Sequence, residues 1–288
     1  MAKLFGFVQF DFAGKLPLAD GRYLADGEET VLVVKRLGTA AVPSRRRRRG
    51  RGAPADPEPG PVSLTRVTVI RASAPLAGQT EAARWLDAAC EAEDTVEVLA
   101  EEAIAPLNRA LHAHAVAAAD PRGRELAPEA AERVLIGYGS GEETAAGRFA
   151  DARQFDLSHQ PASRRRRREE ELRPQERMAG VLRGRDRLDV CETLLLRARA
   201  DLDSGREREA ALQLRVGLEA LLVELDGALD DTGHEKDMAT LRASRASAVD
   251  AATAAIAGPL AAEERGQVEG LLVTCERVLR RRRVLAGS

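Results

Sequence analysis

From Leu188 onward, apolar residues return every three or four positions, and that repeat constrains the fold more than any other feature of the chain. Leu188, Cys191, Leu195, Ala198 and Leu202 form one series. After Asp203-Ser204-Gly205, the residues Ala211, Leu214, Leu218, Leu221, Leu225 and Leu229 form a second. This spacing stacks side chains along one side of an α-helix, whereas a strand would need alternation. Asp230 to Gly233 reads as a loop. An alanine-rich helix follows over Lys236 to Ala257, with Leu241, Val249, Ala252 and Ile256 as its stripe. Pro259 suits the first turn of a last helix, whose apolar face carries Val268, Leu271, Cys275 and Val278. Arg280 to Arg283 close that helix, where cations complement the helix dipole. Four amphipathic helices with short connections predict an antiparallel helical bundle over residues 172–288, because each stripe needs a partner.

The front of the chain follows a different period. Leu4 to Phe12 is rich in Phe and Val with partial alternation. Turns are expected at Ala19-Asp20-Gly21 and Asp26-Gly27, around a short segment Arg22 to Leu24, and a strong strand at Thr30 to Leu37. Leu64 to Arg71 reads as a further strand. Val96, Leu99, Ala103, Leu107 and Leu111 then recur at helical spacing, with Trp85 and Leu86 on a shorter helix before them and Asp94-Thr95 as the N-cap between the two. Asp120-Pro121-Arg122-Gly123 ends the longer helix. A short strand over Arg133 to Tyr138 is expected to enter a glycine-rich turn, Gly137 to Gly141, and a helix from Glu142 to Ala152. The predicted class is α+β: a small N-terminal antiparallel sheet with helices, then the bundle.

Two stretches interrupt this pattern. Residues 43–61 contain five prolines and the run Arg45, Arg46, Arg47, Arg48 and Arg49, with almost nothing large enough to bury. They read as a disordered insertion between strands of one sheet. Residues 158–171 carry Arg164, Arg165, Arg166, Arg167 and Arg168 followed by three glutamates, and read as a linker. The expected organisation is an α+β domain over 1–157, the linker 158–171 and the bundle over 172–288. Because only 3% of residues are aromatic, both cores are expected to consist mainly of Leu, Val and Ala.

A formal net charge of −2 excludes a chain that attracts nucleic acid through its overall charge. The three cysteines form no Cys-x-x-Cys pair, which argues against a zinc site or a disulfide framework and fits reduced thiols in a cytoplasmic protein. No signal peptide or membrane-spanning stretch is expected, because the apolar run at Leu4 is short and meets Asp11.

Few residues offer chemistry. Gly137, Gly139, Ser140 and Gly141 lie between an expected strand and an expected helix, where free backbone N–H groups can hold an anion. The spacing matches no phosphate-binding or nucleophile motif, however, and Glu142 and Glu143 would repel phosphate. A structural turn is the simpler account. His112 and His114 are two apart on one helix and chelate poorly; His114, three after Leu111, is expected at the edge of the core. His159 and His234 are expected in loops. The cysteines are expected to be buried and inert. No metal site or cofactor is expected.

Arg109 and His114 have the Arg-x4-His spacing that resembles the active-site motif of HEPN-type ribonucleases. The resemblance implies RNA cleavage by those two residues, although a spacing of five sets side chains about 140° apart on a helix. Leu202 to Leu212 resembles the turn of a tetratricopeptide unit, which implies a tight helical hairpin in which alanines pack closely. The expected function is a non-enzymatic protein-interaction or scaffold module with a protein partner and no membrane. The alternatives are a nucleic-acid-associated protein binding phosphates through the arginine runs, and a small-molecule or nucleotide-binding enzyme using residues 137–141.

Overall fold

Strand β1 (Leu4–Ala13) lies at the middle of a six-stranded antiparallel sheet. Its companions are β2 (Gly21–Ala25), β3 (Thr30–Leu37), β4 (Leu64–Leu76), β5 (Ala131–Ser140) and β6 (Asp151–Phe155), in the order β2-β3-β4-β1-β5-β6. Val8, Phe10 and Phe12 of β1 point to one face, where they pack with Val67, Val69, Val134 and Ile136. Helices α1 (Gln79–Ala89) and α2 (Glu93–Ala117) bring Leu86, Val96 and Leu107 to that same core. The alternation in β1 is only partial because its other face is covered too. Phe7 packs there with Val33 and Ile70, and its ring lies 5.5 Å from that of Phe149. The structure describes residues 3–25, 27, 29–37, 63–157, 174–227 and 231–285 as a computed structural model. The insertion at 43–61 and the linker at 158–171 lie outside the described residues.

Strand register sorts this second face into rows. Phe7 lies opposite Ile70 on β4 and Gly137 on β5, Gln9 opposite Thr68 and Leu135, and Asp11 opposite Arg66 and Arg133. A buried carboxylate is therefore clamped from both sides. Arg66 donates to Asp11 at 2.8 and 2.9 Å, and Arg133 at 3.1 Å. Charge-assisted pairing of this kind supplies the partners a buried anion requires.

Three local expectations for this part of the chain are corrected. The sheet is larger than expected, because the strands read at 64–71 and 133–138 run over Leu64–Leu76 and Ala131–Ser140 and residues Asp151–Phe155 add a sixth. Helix α2 begins at Glu93, with the N–H groups of Thr95 and Val96 bonded to the Ala92 carbonyl, so Asp94 and Thr95 lie in its first turn and cap nothing. Residues 137–140 are not a turn but the end of β5, and the helix expected over 142–152 is a single turn, α3 (Gly141–Ala145), followed by β6. Ladder bonds from β1 and β6 hold the glycines extended, and tertiary pairing of this kind overrides a glycine's preference for turns.

The chain divides into two compact units, Met1–Pro161 and Ala162–Ser288. The second contains a helix over 174–182 (α4), then α5 (Val190–Asp203), α6 (Glu207–Glu224), α7 (Thr232–Ala243), α8 (Arg245–Ala257) and α9 (Ala262–Leu285). Cys191, Leu195, Leu214, Leu218, Leu221, Met238, Leu272 and Val278 meet in one core. Helices α5 and α6 form a tight hairpin. Gly205, at φ +73°, ends α5 in the left-handed conformation that glycine adopts without steric cost. A Cβ on Gly217 would lie only 3.0 Å from Leu195 Cδ2, so glycine sets how closely the two helices approach.

The single alanine-rich helix expected over 236–257 is two helices that meet at Ser244, which ends α7 and begins α8. The bend lets Leu241 and Ala248 both face the core, whereas Ile256, assigned from spacing to the stripe, is 66% exposed. On α9 Leu272 and Leu279 are buried and Leu271 packs against the same core only partly buried, and Leu188 precedes α5 and is exposed. His234 is not in a loop: it lies in the first turn of α7 with 2% exposure, and its Nε2 donates to the Leu225 carbonyl at 3.3 Å.

The arginines ending α9 do more than complement a dipole. Arg281 pairs with Asp231 and Asp237, Arg282 with Asp189, and Arg283 with Glu192. They join the end of α9 to the starts of α5 and α7. The start of α5 is held from a second side as well, where Glu224 accepts from the N–H groups of Val190 and Cys191 at 3.1 and 2.9 Å. Glu192 accepts from Arg177 at 2.8 Å.

Burial alone would raise both carboxylates. Hydrogen bonds outweigh it, from Arg177 at Glu192 and from Cys191 and Val190 at Glu224, and both groups sit below the ordinary glutamate range. A lowered carboxylate stabilises the fold above its unfolded value, and that contribution disappears as the pH falls through the folded value. The helical unit is therefore expected to lose thermal stability in acid, beginning just below the ordinary glutamate range. Glu224→Gln is expected to flatten that loss. Melting curves at graded pH would show it; an identical acid slope in the variant would contradict the assignment.

Candidate functional site

Gly137, Gly139 and Ser140 lie on β5, and Gly141 opens α3. The space beside the first two glycines is filled by the chain itself. A Cβ on Gly137 would lie 2.4 Å from the Asp151 carbonyl oxygen and 2.6 Å from Ala152 Cβ, and one on Gly139 would lie 2.5 Å from Thr144 Oγ1. Glycine at these positions lets β6 and the segment after α3 cross close to β5. Ser140 Oγ donates to Glu143 at 2.9 Å, and Glu142 forms a two-bond pair with Arg22 at 3.0 Å. The acidic residues expected to repel phosphate are engaged in holding α3 in place.

Arg109, His112 and His114 lie on the exposed side of α2. His114 is therefore not at the edge of the core: it is exposed, and Leu111 is the last buried residue of α2. Arg45 to Arg49 and Arg164 to Arg168 lie outside the described residues. Among the described residues, no group of three or more His, Cys, Asp or Glu side chains could hold a metal ion, and no helix is long and apolar enough to cross a membrane.

The thiols divide by depth. Cys191 and Cys275 are buried, and burial pushes each up to about 12. Cys90 is half-buried, and burial raises it as well. Only the thiolate is nucleophilic. A disulfide-exchange reagent at mildly alkaline pH is expected to titrate Cys90 in the native protein and all three cysteines after denaturation. Fast reaction of Cys191 or Cys275 in the native state would show that the bundle opens.

Two surface features remain that the core does not absorb. The first is an open cleft of about 600 Å³ beside α1 and α2, lined by Trp85, Val98 and Leu99 with Arg71, Asp94 and Glu102. The second is the outward side of α6. Leu212, Val216 and Val223 fall at spacings of four and seven, so they form one ridge. They lie opposite the buried set of Leu214, Leu218 and Leu221. Val216 is 54% exposed and Val223 78%. Helix α6 thus carries two apolar sides, and only one is covered by its own unit.

Comparison with family models, with curated proteins and with solved structures finds no match. The site therefore rests on its own geometry. Sequence reasoning passed over both surface features. The α6 ridge did leave a signal, since Leu212, Val216 and Val223 keep helical spacing two positions out of phase with the core stripe of Leu214, Leu218 and Leu221. The cleft left none: its residues come from β4, α1 and α2.

Proposed function

We propose that this chain is a non-enzymatic protein-interaction module, and that its helical unit docks an amphipathic helix of a partner protein along the outward ridge of α6. The observation that supports this most directly is the pair of apolar sides on one helix. A surface helix of a globular protein ordinarily buries one stripe and is polar elsewhere. Here Leu212, Val216 and Val223 remain in water, although covering a side chain of this size is worth about 1.5–3 kcal/mol. A helix laid along the ridge would read residues three, four and seven apart, as helix-in-groove recognition does. Glu219 and Arg245, paired beside the ridge, would supply a polar rim.

The test is native co-purification with wild type and with the double variant Val216→Asp, Val223→Asp. Both positions are exposed, so the thermal midpoint should stay within about 2 °C of wild type. The wild type is expected to retain a protein partner in about 0.5 M salt, where surface charge pairs are screened, and the double variant to lose it. Equal retention by the variant would end the proposal. Retention that vanishes in high salt, after nuclease treatment and on deletion of residues 45–51 and 164–168 would assign the function to the arginine runs instead.

A further inference from the structure

The cleft beside α1 and α2 belongs to the other unit and rests on none of the argument for α6. Its walls differ in kind. Trp85 and Ala88 of α1 form one side, and Val98 and Leu99 of α2 the other. The indole is seated against the sheet at Gly6, where a Cβ would lie 2.7 Å from Trp85 Cη2, so the glycine makes room for the ring. Among the described residues the indole N–H has no acceptor. At about 600 Å³ the cleft falls within the range of small-molecule sites, roughly 300–1,000 Å³.

Its charge is unbalanced. Asp94, Val98 and Glu102 are four apart on α2 and share one side of the helix. Glu102 lies 3.6 Å from Arg71 in a loose, half-exposed pair, while Asp94 has no cation partner among the described residues. The lining thus sets two carboxylates against one guanidinium, beside the Trp85 indole. Carboxylates favour a cation, the electron-rich face of an indole attracts one more strongly than any other side-chain ring, and Val98 with Leu99 can cover an apolar body. An anionic ligand would meet Asp94 unshielded.

From this geometry we propose that the cleft is a binding site for a small organic ammonium ion with an aromatic or aliphatic body. Trp85 is the only tryptophan in the chain, so its emission reports this cleft without interference. The experiment titrates the full chain at constant ionic strength with phenethylamine, and with hydrocinnamate as the anion of matching shape. Phenethylamine is expected to change the emission saturably, with half-saturation at about 1 mM, as suits a ligand of this size. Hydrocinnamate should bind at least about tenfold more weakly, as a like charge would require. Asp94→Asn is expected to weaken the amine by about threefold to tenfold, the span of a partly exposed charge pair. Val98→Arg, at an exposed position, places a cation in the cleft and should abolish saturation; circular dichroism checks that both variants stay folded. A phenethylamine titration with no saturation overturns the proposal. So does equal binding of hydrocinnamate, or amine binding that neither variant alters.

Discussion

Gly137→Ala is expected to destabilise the N-terminal unit by about 3 kcal/mol, at the upper end of what overpacking costs. The added Cβ would meet the Asp151 carbonyl oxygen at 2.4 Å and Phe7 Cζ at 2.8 Å. The carbonyl belongs to β6, where Gly137 lies opposite Ala152 and Tyr138 opposite Asp151, so it cannot retreat without opening the β5–β6 ladder. Phe7 is equally confined between Val33, Ile70 and Phe149. Gly141→Ala is the matched control, because its Cβ would sit 3.4 Å from the Phe5 ring; about 1 kcal/mol or less is expected there. Thermal melts of both variants, without any ligand, measure the contrast. Equal stability of Gly137→Ala and wild type would mean that close strand approach is not what this glycine serves.

Asp11→Ala is expected to cost about 2–3 kcal/mol, less than the 3–5 kcal/mol seen for fully buried pairs because the arginines reach partly into water. Asp11 is 5% exposed and Arg66 20%. The carboxylate holds the Arg66 guanidinium above its ordinary range, chiefly by direct hydrogen bonding. Without it, two cations face each other across the position where strand register placed their shared anion. Converting both arginines to methionine in the Asp11→Ala background should restore part of the loss, since the penalty arises from cations left without a partner. Urea unfolding of the wild type, the Asp11→Ala variant and the triple variant would measure this. No recovery in the triple variant would mean that the cost comes from lost packing at Asp11 alone.

These two positions show why the sheet was only partly legible. Leu4, Thr30 and Leu64 begin segments of clear strand character, and β1, β3 and β4 begin where that reading places them. Gly137 to Gly141 reads as a turn because glycine prefers turns when nothing else acts on it. Only the partners on either side, Phe7 of β1 and Ala152 of β6, hold Gly137 extended. β6 itself is five residues at an edge, with three exposed positions, and leaves almost no apolar pattern. In the bundle, Leu195, Leu214, Leu218 and Val278 are buried as their spacing implies, whereas Ile256 and Leu188 keep the spacing and are exposed.

The three-four repeat by itself determined that residues after 188 form helices, because a hydrogen-bonded helix needs only its own backbone and that period presents a continuous apolar side. It could not determine which apolar side is covered. On α6 the series through Leu218 and the series through Val216 both satisfy the period, and the choice falls to whichever side finds α5, α8 and α9. Burial is a property of neighbours. Tertiary packing alone therefore decided that Leu218 is core and Val216 is surface, and it alone brought Trp85 and Asp94 to one cleft.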